Sequence, residues 1–184
     1  MKHVLIMIVG FSRSGKSTLV NQIIKNFSTI TKIDTDSIHD FLNQTYSVFK
    51  DENTIEGKSF DIRQKSTRAI QEALISTLLA DGHSVLLDSC NLSKAIRDTI
   101  FTLARESDQK ITTILIRHKI NEDALYENIR KADQEKGGTI WKDLYEKIQK
   151  PALNEPSASE VDHLMIHKKN TKEIIDKIQS ILRG

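Results

Sequence analysis

The segment Gly10-Phe11-Ser12-Arg13-Ser14-Gly15-Lys16-Ser17 sets two glycines five positions apart and follows the second at once with a lysine and a hydroxyl. That spacing, GxxxxGK[ST], belongs to a loop that wraps backbone N–H groups around a phosphate. The apolar run Val4-Leu5-Ile6-Met7-Ile8-Val9 delivers the chain to the loop, and Lys16-Ser17-Thr18 opens a helix on its far side. The loop therefore ends on a helix N-terminus, where backbone N–H groups have no partner within the helix and favour an anion. Lys16 is the candidate catalytic cation, placed to reach the β- and γ-phosphates of a nucleoside triphosphate, and the Ser17 hydroxyl is the candidate Mg²⁺ ligand. Gly10, Ser12, Arg13, Ser14, Gly15 and Thr18 complete the expected nucleotide cradle.

Acidic residues follow two later apolar runs. Asp88 directly follows Val85-Leu86-Leu87, the form of an acid that holds the Mg²⁺ shell beside Ser17. Asp34 and Asp36 follow the second run, where an acceptor hydroxyl would meet the γ-phosphate. Either aspartate could take the hydroxyl proton, with Asp36 the preferred base; either could instead cap the helix beginning near Ser37.

These residues need a sheet to carry them. Runs at Thr29 to Ile33, Ser84 to Leu87, Ile111 to Ile116 and His163 to Ile166 read as further strands. Helical patterns fill the intervals, most clearly Ile62 to Ala80 before Asp81-Gly82, Glu122 to Lys136 before Gly137-Gly138, and Thr171 to Leu182. Alternating strands and helices around such a loop predict an α/β P-loop NTPase fold. The expected form is a mainly parallel five-stranded sheet, helices on both faces, and a small helical lid at about residues 120–140. The polar stretch Asn43 to Ser59 reads as a mobile segment on the substrate side.

With 184 residues, the chain has the length of one domain, taken here as 1–184. Its 27 basic and 25 acidic residues give a formal charge of +2, which lends nucleic acid only weak support as a partner. Cys90 is the single cysteine, so an internal disulfide is excluded and a reducing, cytoplasmic setting is expected. The N-terminal apolar run is too short to cross a membrane and leads straight into the loop, so it reads as the first strand. His163 and His167 lie on one side of the last strand with no third ligand in view, and Trp141 with Tyr145 reads as a packing pair.

The order of phosphate loop, Asp36-Ser37-Ile38 and Gly82-His83-Ser84-Val85-Leu86-Leu87-Asp88-Ser89-Cys90-Asn91-Leu92 resembles the polynucleotide-kinase-like and zeta-toxin-like P-loop kinases. The chain keeps that group's Asp88, Asn91, Leu92 and Arg97, with Cys90 where threonine is usual. The resemblance implies Asp36 as base and Asn91 and Arg97 as substrate-side residues. Where the group often has an arginine three residues after the aspartate, this chain has His39, the corresponding substrate-side position. The group also closes a cationic lid over the triphosphate after strand four, which makes Arg130, next to Lys131, the candidate catalytic lid cation.

The reading reached is an ATP- and Mg²⁺-dependent kinase acting on a hydroxyl of a small molecule or a nucleic-acid end. The alternative is a nucleotide-dependent switch or regulatory ATPase. No base-recognition motif separates ATP from GTP.

Overall fold

The structure, a computed structural model, describes residues 2–46, 55 and 57–184. Five strands, β1 (His3–Val9), β2 (Ile30–Asp34), β3 (Ser84–Asp88), β4 (Ile111–His118) and β5 (His163–His167), form one sheet in the order β2-β3-β1-β4-β5 with every pairing parallel. This is the expected sheet. Of the stretch Asn43 to Ser59, expected as a mobile segment, residues 47–54 and 56 lie outside the described residues, while residues 43–45 and 58–59 are helical, as the last turn of one helix and the first of the next.

The physical reason for the layout is visible in β1. It pairs with β3 on one side and β4 on the other, and Val4 through Val9 are all fully buried. A central parallel strand has both faces covered, so it reads as an unbroken apolar run rather than an alternating one. Val4, Ile6 and Ile8 face α1 (Lys16–Asn26) and the C-terminal helix at residues 171–183 through Leu19, Val20, Ile23, Ile174 and Ile178. Leu5, Met7 and Val9 face the opposite layer, α3 (Lys58–Ala80) and α4 (Lys94–Glu106), through Ile75, Leu79, Ile100 and Phe101. Each such side chain contributes roughly 1.5–3 kcal/mol when fully buried, so the strand that delivers the phosphate loop is firmly held. The helix α2 (Thr35–Thr45) follows β2 without a loop and packs on α3.

The connection after β3 corrects two expectations. Arg97 was expected on the substrate side, yet it is 0% exposed and donates from Nε and Nη2 to the Glu160 carboxylate at 2.8 and 3.1 Å. Its Nη1 donates to the carbonyl oxygens of Asn91 and Leu92, at 3.1 and 2.8 Å. Asn91 is buried as well, in the left-handed region at φ 49, a conformation Asn tolerates better than most residues. Its Nδ2 donates to the carbonyls of Ile8 and Ser89. Both side chains are spent on the backbone behind the site, so they shape the turn carrying Cys90 instead of meeting a substrate.

Burial alone pushes the Glu160 carboxyl up, but hydrogen bonds from Arg97 and the Ser157 amide outweigh it and hold the group below its ordinary value. A depressed carboxylate stabilises the fold above its unfolded pKa, and that contribution is lost as pH falls through the folded value. Arg97→Ala should destabilise the protein by about 3–5 kcal/mol, because it strands a buried carboxylate. Denaturant unfolding at neutral pH checks this, and the deficit should shrink as the pH is lowered through the Glu160 titration.

Candidate phosphate-binding site

The loop enters α1 through Gly15, whose left-handed backbone (φ 90) serves as the N-cap and supplies no side chain to the first turn. No acidic residue occupies that turn either. The free N–H groups of Lys16 and Ser17 are thus open to an anion. Gly10 admits the lysine stem: a Cβ there would stand 3.1 and 3.2 Å from Lys16 Cδ and Cγ. Lys16 is buried, and its Nζ donates to the Phe11 carbonyl at 2.7 Å and lies 3.6 Å from Cys90 Sγ. Ser17 and Thr18 are exposed at the mouth.

The acids sit where the sheet ends. β2 and β3 pair in register so that Asp34 lies beside Asp88. Asp34 is the N-cap of α2: Oδ1 accepts the Asp36 N–H at 3.1 Å and Oδ2 accepts from Lys32 Nζ at 2.9 Å. Burial raises its pKa, yet the lysine and the amide outweigh burial and keep it ionised below the usual range. That occupation leaves Asp36, exposed in the first turn of α2, as the carboxylate of the two with no side-chain partner among the described residues. Asp88 is half-buried and its pKa is raised, first by burial and then by the Asp34 charge, against the pull of Lys16. A carboxylate under neighbouring negative charge is relieved by a hard cation, and oxygen donors from Asp88 and Ser17 match what Mg²⁺ prefers. Among the described residues no three His, Cys, Asp or Glu side chains converge, so a cation there would draw its other ligands from phosphate and water.

Thr35 Oγ1 donates to the Asp88 carbonyl at 2.9 Å and accepts from Gln71 of α3. From that point a polar seam runs between α2 and α3, with Thr35, His39 and Asn43 on one helix and Arg63, Thr67 and Gln71 on the other, each set at four-residue spacing. His39 Nε2, Asn43 Oδ1 and Thr67 Oγ1 are buried there without a hydrogen bond. The His39 ring is pushed below its ordinary pKa by burial and by the Arg63 charge, so a guanidinium from α3 stands near this position although residue 39 is not arginine.

The segment expected to form the lid folds as α5 (Glu122–Lys136), capped at its start by Asn121 and ended by Gly137 at φ 72. It continues through α6 (Ile140–Asp143) and a π-helical turn (Leu144–Gln149). Its contacts with the loop are not those expected. Arg130 is exposed and forms an ion pair with Glu127 at 2.8 Å on its own helix, whereas Asn128 Nδ2 donates to the Arg13 carbonyl at 3.0 Å. Two residues on a helix point about 200° apart, so the face that meets the loop carries Asn128 and turns Arg130 away. Arg13 (φ 62) places its guanidinium over Trp141, 3.9 Å from the ring centroid. The buried Asp133 carboxylate holds the start of α6 by accepting the backbone N–H groups of Trp141 and Lys142 at 2.8 and 3.1 Å. Tyr145 packs edge-on against Phe11, with centroids 5.1 Å apart.

Two grips on the loop have no motif to announce them. Gln149, in the π-helical turn, accepts the Ser12 N–H at 2.9 Å and donates to Ser12 Oγ at 2.6 Å. His118, at the end of β4, contacts the Ser14 carbonyl through Nε2 at 2.8 Å. Beside it opens a cavity of about 900 Å³ bounded by Ser14, His118, Lys119, Asn121 and Asn170. A π-turn re-aims side chains that helical periodicity would place elsewhere, which is why Gln149 was invisible to spacing.

The family described as chromatin associated protein KTI12 matches residues 4–183. A comparison with curated protein sequences returned no match. Among solved structures, the chain is similar to Chaetomium thermophilum Kti12 in complex with ADP-AlF3, at 18% identity and TM-score 0.68, covering 96% of this chain and 97% of that one. It is similar to a protein of the PezAT toxin–antitoxin system of Streptococcus pneumoniae, at 16% identity and TM-score 0.64, over 91% of this chain and 69% of the other. It is also similar to the Mycobacterium tuberculosis APS kinase CysC in complex with AMPPNP and APS, at 15% identity and TM-score 0.59, over 100% and 99% of the two chains. The fold is therefore that of the P-loop kinases, in line with the resemblance read from the motifs.

Gln149→Ala should weaken binding of a nucleoside diphosphate about 3- to 10-fold, the loss expected when the hydrogen bonds ordering Ser12 are removed. Calorimetric titration of the folded variant measures it, and Arg130→Ala, on the face turned from the loop, should leave the same affinity within twofold.

Proposed function

The chain belongs to the KTI12 family, matched over residues 4–183, and from that premise we propose an ATP- and Mg²⁺-dependent kinase that transfers the γ-phosphoryl group to a hydroxyl acceptor. The observation that carries the reading is the free Asp36 carboxylate at the start of α2, with the uncapped N-terminus of α1 at the C-terminal edge of the same sheet. Lys16 holds the β- and γ-phosphates once a nucleotide displaces its contact with Phe11. The backbone N–H groups of the first turn of α1 bind the same oxygens. Asp36 orients the acceptor hydroxyl and takes its proton, while Asp34 caps α2 and keeps Asp36 in place. Asp88 and Ser17 are the residues that would hold Mg²⁺, which when bound neutralises charge on the phosphate oxygens. The acceptor, a small molecule or a nucleic-acid end, lies against the start of α2 near His39.

The lid contacts favour a second reading, a nucleotide-dependent switch. Asn128, Trp141 and Tyr145 touch the loop itself, so the nucleotide state of the loop is felt directly by the lid, and a partner could read the lid. Labelled ATP offered with a panel of hydroxyl compounds separates the two: label in an acceptor supports the kinase, and phosphate release alone supports the switch.

Lys16→Ala should abolish both nucleotide binding and turnover. Asp36→Asn should keep ATP affinity within a few-fold and lower transfer about 10²-fold or more, the scale of losing a positioned base. Asp88→Asn should raise the Mg²⁺ concentration required. Transfer that survives in Asp36→Asn but fails in Asp34→Asn moves the base to Asp34, and an unmoved magnesium dependence removes Asp88 from the metal shell.

A further inference from the structure

Behind the phosphate loop two histidines form a short chain. His118 Nε2 lies 2.8 Å from the Ser14 carbonyl, His118 Nδ1 lies 2.8 Å from His167 Nδ1, and His167 Nε2 lies 3.1 Å from Thr171 Oγ1 at the start of α7 (Thr171–Arg183). The rings stack with centroids 5.0 Å apart and planes 16° from parallel, and both residues are buried.

The protons in this chain follow from one constraint. A carbonyl only accepts, so His118 must carry its proton on Nε2. In the neutral ring His118 Nδ1 is then an acceptor, and His167 Nδ1 must donate to it. That leaves His167 Nε2 bare, and the Thr171 hydroxyl donates there. Every polar atom is satisfied by this single arrangement.

The contact matters because of peptide geometry. In a planar trans peptide the C=O and the following N–H point in opposite directions. Holding the Ser14 carbonyl toward β4 therefore turns the Gly15 N–H the other way, to the side of the peptide opposite His118. Releasing the carbonyl releases that N–H.

We propose that His118, His167 and Thr171 form a positioning device for the phosphate loop, in which His167 sets the loop by fixing His118 in the tautomer that holds the Ser14 carbonyl. The proposal rests on the loop binding nucleotide phosphates. The charged surroundings agree with a neutral pair. Lys16 from α1 and Arg117 from β4 act on His118, and Lys119, Lys168, Lys169 and the single acid Glu173 line the adjoining cavity. Burial is the main force that lowers the pKa of both rings; at His118 the bond to the Ser14 carbonyl opposes it and the Lys16 and Arg117 charges add to it, and at His167 the His118 charge adds to it. One added proton can be absorbed at His167 Nε2 if Thr171 turns to accept. A second sets two N–H groups face to face between the Nδ1 atoms and breaks the chain.

The test is calorimetric titration of ADP into the full chain from pH 8 to 5.5, with thermal unfolding of every variant. His167→Leu leaves His118 Nδ1 without a donor and should weaken ADP binding about tenfold at pH 7.5, the scale of one mis-set hydrogen bond at a charged ligand. His167→Gln can still donate to His118 and accept from Thr171, so it should bind within about threefold of wild type, the margin of a small hydrogen-bond adjustment. It lacks a titrating ring, however, so its affinity should fall less steeply than the wild type's as pH drops below the ordinary histidine range. ADP's own titration is common to both curves and cancels. A folded His167→Leu protein with wild-type affinity overturns the proposal, as does a His167→Gln curve that superimposes on the wild type. If His167→Leu does not fold, the His167→Gln comparison decides alone. Wild-type affinity in Lys16→Ala, or no ADP binding by the wild type, overturns the nucleotide reading and the proposal with it. Loss of binding in Lys16→Ala with no effect at His167 removes only the positioning device.

Discussion

A loop that must offer its N–H groups to a ligand cannot use them on itself. Residues 10–15 make one backbone hydrogen bond within the loop, from the Ser14 N–H to the Phe11 carbonyl. Several of their other backbone groups are tied outward. Gly10 N–H donates to the Cys90 carbonyl, Ser12 N–H to Gln149, and the Arg13 and Ser14 carbonyls meet Asn128 and His118. Buried backbone groups require partners, so four separate parts of the chain are committed to holding six residues. The rest of the architecture serves this demand: a fully buried β1 aims the loop, and the ends of its neighbours reach back to it.

The turn after β3 shows the same economy. Arg97 and Asn91 bear groups that would suit a substrate, and both are used to fix carbonyls of the turn whose Cys90 oxygen anchors Gly10. Replacing such a buried pair as a unit by apolar residues can be neutral, whereas removing one partner is not. Arg97 and Glu160 are thus coupled: neither position can change freely while the other stays.

The phosphate loop, the five strands, the long α3 and the bounds of α5 were legible because each is encoded locally, in spacing, apolar runs and caps. What stayed hidden depends on which distant faces meet. Arg97 and a ligand-binding arginine look alike until burial separates them. Arg130 was chosen for charge, and only the phase of α5, set by Asn128 on the loop, shows that it points away. Gln149 and the His118–His167 pair belong to contacts spanning 137 and 104 residues to the loop, and no local pattern carries such information. By position alone either Asp34 or Asp36 can serve as base or cap; the cap is Asp34, since its side chain accepts the Asp36 amide.

The long reach of those contacts has a consequence for how the molecule is made. During synthesis the phosphate loop leaves the ribosome well before its partners: Gln149 lies 137 residues downstream of Ser12, and His167 and Thr171 lie further on. Parallel pairing of β1 cannot be completed before β4 exists, and non-local contacts of this kind form late in folding. Over that whole interval the nascent chain carries its recognition motif without the partners that order it. Competence to grip a phosphate arrives late, when β5 and α7 dock and close the sheet around a loop made long before.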